Sequence, residues 1–427
     1  MNLKRSKELL ERAYKVIPSA TQTFSKGPNQ WVRGVAPHFL EMGEGAWVWD
    51  VDGNKFLDYL MALGPIILGY NNTEINAAIG AQLKKGIVFS QMNPLEVEVA
   101  EILSELIPCA EMVRFAKNGS DATSGAVRAA RAYTGRDRIA YCGYHGWHDW
   151  YIGTTTRNLG VPKAVQELTH TFKYNDLPSL QEVFATHPGE IAAVIMEPVG
   201  VEAPANGFLE GVKQLAHTNG ALLVFDEIVN GFRMSLGGAQ AYFNVTPDMA
   251  CFGKAMANGM PLAAVVGSRD VMEIFDKIFF SGTFGGETLS LAACRETINI
   301  MRRDDGIQHL WKVGERLVQG TKRLIGKHHL DESLVCVGYA PRSVLAFPHS
   351  DEQEARLRRS YFMQECIKQG LLFFGSQNPT MSHHDAEIDF TLDVYDKSMQ
   401  KFADALSDNA FSNRLEGLCV EPIFRKA

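Results

Sequence analysis

The chain has 427 residues, 46% of them apolar and 21% charged, with a formal net charge of −7. That length exceeds a single hydrophobic core, so two or more domains are expected, and the acidic balance argues against a nucleic-acid platform with its basic face. Seven cysteines, with no Cys-x-x-Cys pair among them, argue against a disulfide framework or a zinc site; they read as inert thiols in a reducing compartment.

Charges and leucines alternate at helical spacing over 3–16, without the uninterrupted apolar stretch of a signal peptide. The longest uncharged region, 59–72, is broken by Gly64-Pro65 and is too short to span a bilayer. A cytoplasmic protein is expected, with no membrane and no nucleic-acid partner. An irregular arm over 18–37 leads to a hairpin, 46–50 with 55–58, around the Asp52-Gly53 turn. A helix is predicted over 95–106. From there the pattern alternates: helix 121–134, strand 138–142, strand 191–196, helix 211–218, strand 221–225 and strand 262–266.

Short, continuously apolar strands separated by helices predict an α/β fold with a mostly parallel sheet sandwiched by helices. After a helix over 289–301 the character changes. Helices near 316–324 and 352–369, with a Gly/His-rich connection over 375–384, predict a smaller α+β domain joined by the N-terminal segment. The expected division is an arm and part of the small domain over 1–70, a large domain over 71–315 and a C-terminal small domain over 316–427.

In open parallel sheets, ligands bind beyond the carboxyl ends of the strands. Asp226 closes one strand there, and Lys254 enters a tight turn behind Gly253. An amine and a carboxylate are the two anchors pyridoxal phosphate needs. The amine forms a Schiff base with its aldehyde, and the carboxylate keeps the pyridine nitrogen protonated, so that the ring acts as an electron sink. Taken alone, a Gly-Lys turn is more often a solvated surface amine.

Four further segments fall in the same zone. Lys117-Asn118-Gly119-Ser120-Asp121 opens a helix whose small residues, N–H groups and dipole suit a phosphate, though a plain N-cap box reads the same way. Gly143-Tyr144-His145-Gly146 follows a strand, and Tyr144 could stack on a pyridine ring or lie in the core. His145, His148 and Asp149 are too loosely spaced for a metal site, so none is expected. Met196-Glu197-Pro198 and Asp226-Glu227 end consecutive strands, and a buried carboxylate is costly unless paired. Ser281-Gly282-Thr283-Phe284-Gly285-Gly286 is a Gly-rich loop before a helix, suited to an anion or simply a turn. No G-x-G-x-x-G follows a strand, and neither G-x-x-x-x-G-K-[ST] nor G-x-S-x-G occurs.

In this order the segments, together with Trp49-Asp50-Val51-Asp52-Gly53, Gly64-Pro65-Ile66-Ile67-Leu68-Gly69 and Asp226-Glu227-Ile228-Val229-Asn230-Gly231-Phe232-Arg233, resemble the class III aminotransferases of fold-type I pyridoxal-phosphate enzymes. The nearest branch is that of glutamate-1-semialdehyde aminomutase and related sugar-cluster aminotransferases. The resemblance implies that Asn118, Gly119 and Ser120 hold the cofactor phosphate. Tyr144 stacks on its ring, Ile228 packs beneath, Asp226 binds its nitrogen and Lys254 carries it. It also implies that Glu202 contacts the cofactor and that Thr283 reaches the phosphate across a homodimer with shared active sites.

Lys26 stands where the aminomutase has an arginine, and lysine lacks the bidentate fork for a simple carboxylate. The polar arm (Thr21, Gln22, Thr23, Lys26), with His145 and the His383-His384 pair, is expected to meet substrate. The implied reaction moves an amino group from L-glutamate to a sugar-acid aldehyde, 8-oxo-3-deoxy-manno-octulosonate, in lipopolysaccharide sugar biosynthesis. The aminomutase reaction and an inactive cofactor-binding protein stay open as alternatives.

Overall fold

The computed structural model describes residues 1–422. Two compact units divide the chain, one made of residues 1–72 and the stretch from Gln308 onward, the other of Thr73–Ile307.

The first unit opens with α1 (Lys4–Val16). Asp52, from the turn of the hairpin, accepts the N–H groups of Arg5 (2.8 Å) and Ser6 (2.9 Å) and so satisfies donors the first turn would leave orphaned. Strands β1 (Leu40–Glu44), β2 (Trp47–Asp50) and β3 (Lys55–Asp58) form an antiparallel meander. At the end of β3 the buried Asp58 accepts Leu60 N–H (2.7 Å), Met61 N–H (3.2 Å) and the Tyr70 hydroxyl (2.7 Å). These bonds hold a turn in which Met61, Ala62 and Leu63 all have positive φ (48°, 56° and 79°), a cost of about 1 kcal/mol or more for each non-glycine residue.

The second unit begins with α2 (Thr73–Leu83) and α3 (Pro94–Leu106), the latter started by an Asn93–Glu96 capping box. Its seven-stranded sheet is built from β4 (Met112–Ala116), β5 (Arg138–Cys142), β6 (Thr169–Thr171), β7 (Ile191–Met196), β8 (Leu222–Asp226), β9 (Met249–Phe252) and β10 (Ala263–Gly267). The order across the sheet is β4-β10-β9-β8-β7-β5-β6. Only β10 is antiparallel to its neighbours; the others pair parallel.

Every residue of β7, β8, β9 and β10 is buried, as strands covered on both faces must be. Helix α4 (Gly119–Thr134) covers one face through Ala122, Ala126, Ala129 and Ala130, which pack with Ile139, Ile195, Val224 and Val265. Alanines there let the helix lie close, and each buried Val or Ile contributes about 1.5–3 kcal/mol.

The chain then returns to the first unit through a helix at Gly306–Lys327. Strands β11 (Val335–Tyr339), β12 (Arg342–Ala346), β13 (Leu371–Leu372) and β14 (Ser376–Gln377) follow, together with helices at Glu352–Lys368 and Asp385–Ser407. β13 adds parallel to β3, and β11-β12-β14 form a small sheet. An aromatic cluster of Phe347, Phe362, Phe373, Tyr395 and Phe402 fills this core. All seven cysteines are free thiols. Among the described residues no helix is long and apolar enough to cross a membrane. The architecture is the expected α/β arrangement, with a parallel centre flanked by helices.

Candidate active site

Five segments of the second unit converge where the parallel strands end. β8 delivers Asp226 as its last residue, 3% exposed. Its Oδ1 accepts Ile228 N–H at 3.0 Å and its Oδ2 lies 2.8 Å from His145 Nδ1. Glu227 faces the other way. It accepts the N–H groups of Ala239 and Gln240, both at 2.8 Å, and so completes the first turn of the helix Gly238–Phe243. Burial pushes its carboxyl up to about 7 despite those bonds.

Lys254 follows β9 by way of Gly253 and opens a short 3₁₀ turn. Its φ of 44° lies in the left-handed region, where a side chain is strained by about 1–2 kcal/mol, and the buried Ala255, Met256 and Ala257 hold the turn in place.

Helix α4 opens opposite. Asn118 is its N-cap, and Asp121 accepts the Asn118 N–H at 2.9 Å. A Cβ on Gly119 would meet Ile228 at 3.1 Å, and one on Gly253 would meet the same side chain at 3.1 Å, so Ile228 lies against both loops. The loop after β5 is stapled to the helix. Ser120 Oγ accepts Trp147 N–H at 3.3 Å, Thr123 Oγ1 donates to His145 O at 2.9 Å, and a Cβ on Gly146 would stand 2.2 Å from Ser120 Oγ. Tyr144 projects from this loop with 52% of its surface exposed, edge-on to Tyr151 at 5.5 Å. Burial, and then the nearby Asp226 charge, push its hydroxyl up. Its N–H donates to Glu197 Oε1 at 3.3 Å, which brings in the acidic residue that follows β7.

Asn118, Gly119, Ser120, Tyr144, Asp226, Ile228 and the Lys254 turn therefore share one neighbourhood. Five expectations need correction or relocation. His145 does not face a substrate: it is 2% exposed, with one ring nitrogen on Asp226 and the other 3.1 Å from Cys142 O. His383 is fully buried in the first unit, where its Nδ1 accepts Thr380 N–H at 3.1 Å and its ring stacks on Tyr59 at 4.2 Å, so it is a core histidine. Glu202 is exposed and turned to Asn175, whose Nδ2 donates to it at 2.8 Å, because Asn175 ties the whole 202–205 loop through Ala203 O and Ala205 N.

Thr283 is exposed and lines a cavity of about 430 Å³ beside the first turn of α4, with Lys117, Asp121 and His148. Lys26 is exposed in the first unit, at a cavity of about 440 Å³ also lined by Asp58 and Tyr70. His148 bonds Ser124 Oγ at 2.7 Å, away from the buried His145.

Residues 30–406 match the family model described as aminotransferase class-III. The chain belongs to the class III aminotransferases. A curated relative, the 3-aminobutyryl-CoA aminotransferase of Cloacimonas acidaminovorans, is 39% identical over 85% of this chain and 89% of its own length. Glutamate-1-semialdehyde 2,1-aminomutase 2 of Lachnoclostridium phytofermentans is 34% identical over 93% and 99%. Among solved structures, the pyridoxal-phosphate internal aldimine form of the FumI protein from Sphingopyxis sp. MTA144 superposes with a TM-score of 0.88 at 30% identity, covering 95% of this chain and 98% of that one.

This class III aminotransferase is a pyridoxal-phosphate enzyme, and the residues present suit that cofactor. The mouth of α4 is lined by Gly119 and Gly146, where any added Cβ would crowd Ile228 or Ser120. A buried carboxylate and a strained lysine turn border the same neighbourhood.

Proposed function

We propose that the enzyme transfers an amino group from L-glutamate to the carbonyl of a hydroxylated sugar acid, with 8-oxo-3-deoxy-manno-octulosonate as acceptor, in lipopolysaccharide sugar biosynthesis. The observation that carries the amine-transfer part is the meeting of the Lys254 turn, Asp226 and the opening of α4 around Ile228. Pyridoxal phosphate supplies an electrophilic carbon and an electron sink when bound.

The chain's own residues do the rest. The N–H groups of Gly119 and Ser120, beside the Asn118 cap, bind the phosphate at a helix opening, where the dipole favours an anion. Tyr144 and Ile228 would hold the ring, and Asp226 would accept a hydrogen bond from its nitrogen. Lys254 Nζ would hold the cofactor and, as a free amine, would take and return the proton at the substrate carbon. Thr283 reaches the phosphate of a neighbouring subunit in a homodimer, which its exposed position permits.

The acceptor part rests on the arm, where Gln22, Thr23 and Lys26 are exposed and can hydrogen-bond hydroxyl and carboxylate groups. A second reading is favoured by the 39% identity to a 3-aminobutyryl-CoA aminotransferase: the acceptor would then be a 3-oxoacyl thioester.

The test supplies L-glutamate with each acceptor separately and follows 2-oxoglutarate. Turnover with the sugar-acid aldehyde and none with the thioester supports the first reading, and the reverse supports the second. Product from glutamate-1-semialdehyde with no donor present would replace both with the mutase reaction.

A further inference from the structure

Lys117 stands between the last residue of β4 and Asn118, the cap of α4. Its Nζ lies 3.0 Å from Glu287 Oε2, and the two side chains are only 18% and 11% exposed. Glu287 is itself the cap of the helix Thr288–Arg303. Its Oε1 accepts Leu289 N–H at 2.7 Å, and its Oε2 accepts Ser290 N–H at 3.2 Å and the Ser290 hydroxyl at 2.6 Å. One carboxylate thus joins the segment that opens α4 to the first turn of another helix.

That second helix is anchored in turn. Thr288, its first residue, is fully buried; its N–H donates to Ile87 O at 3.0 Å and its hydroxyl oxygen accepts from Gln82 Nε2 at 3.1 Å. The body of the helix is largely buried and packs against the turn Lys254–Ala257. A continuous path therefore runs from the opening of α4 through Lys117, Glu287 and this helix to the lysine turn. We propose that Lys117 and Glu287 are a positioning pair that fixes the separation between the opening of α4 and the Lys254 turn. The proposal rests on the reading that the opening of α4 binds the cofactor phosphate.

Pyridoxal phosphate carries its aldehyde and its phosphate arm on neighbouring ring carbons, so the amine and the anion-binding opening must keep one spacing. The electrostatics fit a device for geometry. Burial lowers the basicity of the Lys117 amine, and the Glu287 carboxylate opposes that shift. Burial pushes the Glu287 carboxyl up, but the bonds from Ser290, Lys117 and Leu289 outweigh it and hold the group below its ordinary value. Desolvation offsets much of the attraction in a pair this far from water, so its main consequence is the position it enforces. Removing either partner leaves the other charge unpaired and cuts the path.

The experiment titrates pyridoxal phosphate, and separately pyridoxal, which lacks the phosphate, into the full-chain apoprotein and follows the absorbance of the bound aldehyde. Lys117→Met and Glu287→Gln should each weaken pyridoxal phosphate about tenfold and leave pyridoxal within about twofold. The double variant should lose no more than either single one, because both remove the same tie. Lys117→Arg, which can still pair with Glu287, should recover most of the affinity. Arg295→Met breaks an exposed pair with Glu98 on the same helix and should change neither titration. Equal weakening of both aldehydes would mean that the pair serves the fold alone. Tighter pyridoxal phosphate binding by Glu287→Gln would make Lys117 a direct phosphate ligand released from its partner. Either result, or parental affinity in both folded single variants, would overturn the proposal. A parent that binds the two aldehydes alike would instead remove the phosphate reading of the α4 opening, and the positioning role with it.

Discussion

Asp226 and Glu227 are sequence neighbours whose buried carboxylates serve different partners: Asp226 meets an imidazole and a backbone N–H, Glu227 the first turn of a helix. Their contrast gives the first prediction. Burial raises the Glu227 carboxyl from 4.5 to about 7, so between those values the folded chain binds a proton that the unfolded chain has released. Stability should therefore fall as pH rises through that window, by up to about 3 kcal/mol. Glu227→Gln removes the titration. Urea midpoints of parent and variant should converge or cross between pH 5 and pH 8, and parallel curves would rule out Glu227 as the source.

Gly146 combines a φ of 104° with a Cβ position 2.2 Å from Ser120 Oγ. Gly146→Ala should therefore destabilise the protein by about 1–3 kcal/mol and weaken cofactor retention. Thermal unfolding of the apoprotein and a cofactor titration check both effects. Pairing it with Ser120→Ala should recover only part of the loss, since the backbone angle is still wrong for alanine.

Lys254→Ala and Lys254→Gly should both abolish turnover, by at least about a thousandfold, while keeping the cofactor noncovalently. They should differ in stability. Glycine relieves the left-handed strain at φ 44° and alanine does not, so the glycine variant should unfold later by about 1 kcal/mol or less, after its looser unfolded chain is counted. Equal midpoints would mean that the turn carries no strain.

Tyr70→Phe takes one of three hydrogen bonds from the buried Asp58 carboxyl. Burial already raises Asp58, and the Tyr70 bond is the largest influence opposing it. The loss should be about 1–3 kcal/mol and should grow as pH rises, because the ionised form loses the donor. Urea unfolding at acidic and at neutral pH measures the difference, and a deficit that shrinks with rising pH would contradict the assignment.

Much of this was readable from local pattern. The run at 191–196 coincides with β7 because a continuous Ile, Val and Ala stretch suits a strand covered on both faces, and 138–142 coincides with β5 through its buried Ile139, Ala140 and Cys142. β9 was missed, since Met249-Ala250-Cys251-Phe252 has few β-branched residues and gains its structure from its neighbours in the sheet. The helix Asp385–Ser407 was missed because its many aspartates are poor helix formers and mask its apolar face.

At the site, the types and order of Asp226 and Lys254 carried the chemistry. No local signal tells which of Tyr144 and His145 turns inward, and a histidine beside an exposed tyrosine reads as a substrate contact until Asp226 is seen against it. The left-handed angle at Lys254 is equally invisible, because non-glycine sequences carry no mark of it.

Strand β10 runs against both β4 and β9, so those two strands point the same way with one strand interposed. That insertion acts as a ruler. It separates the outlets of β4 and β9, which lead to the mouth of α4 and to the lysine, by two inter-strand steps, roughly 10 Å. Because β10 is reversed, its first residue, Ala263, lies against Gly253 of the lysine turn, so the direction of one strand sets the spacing between that turn and the mouth of α4.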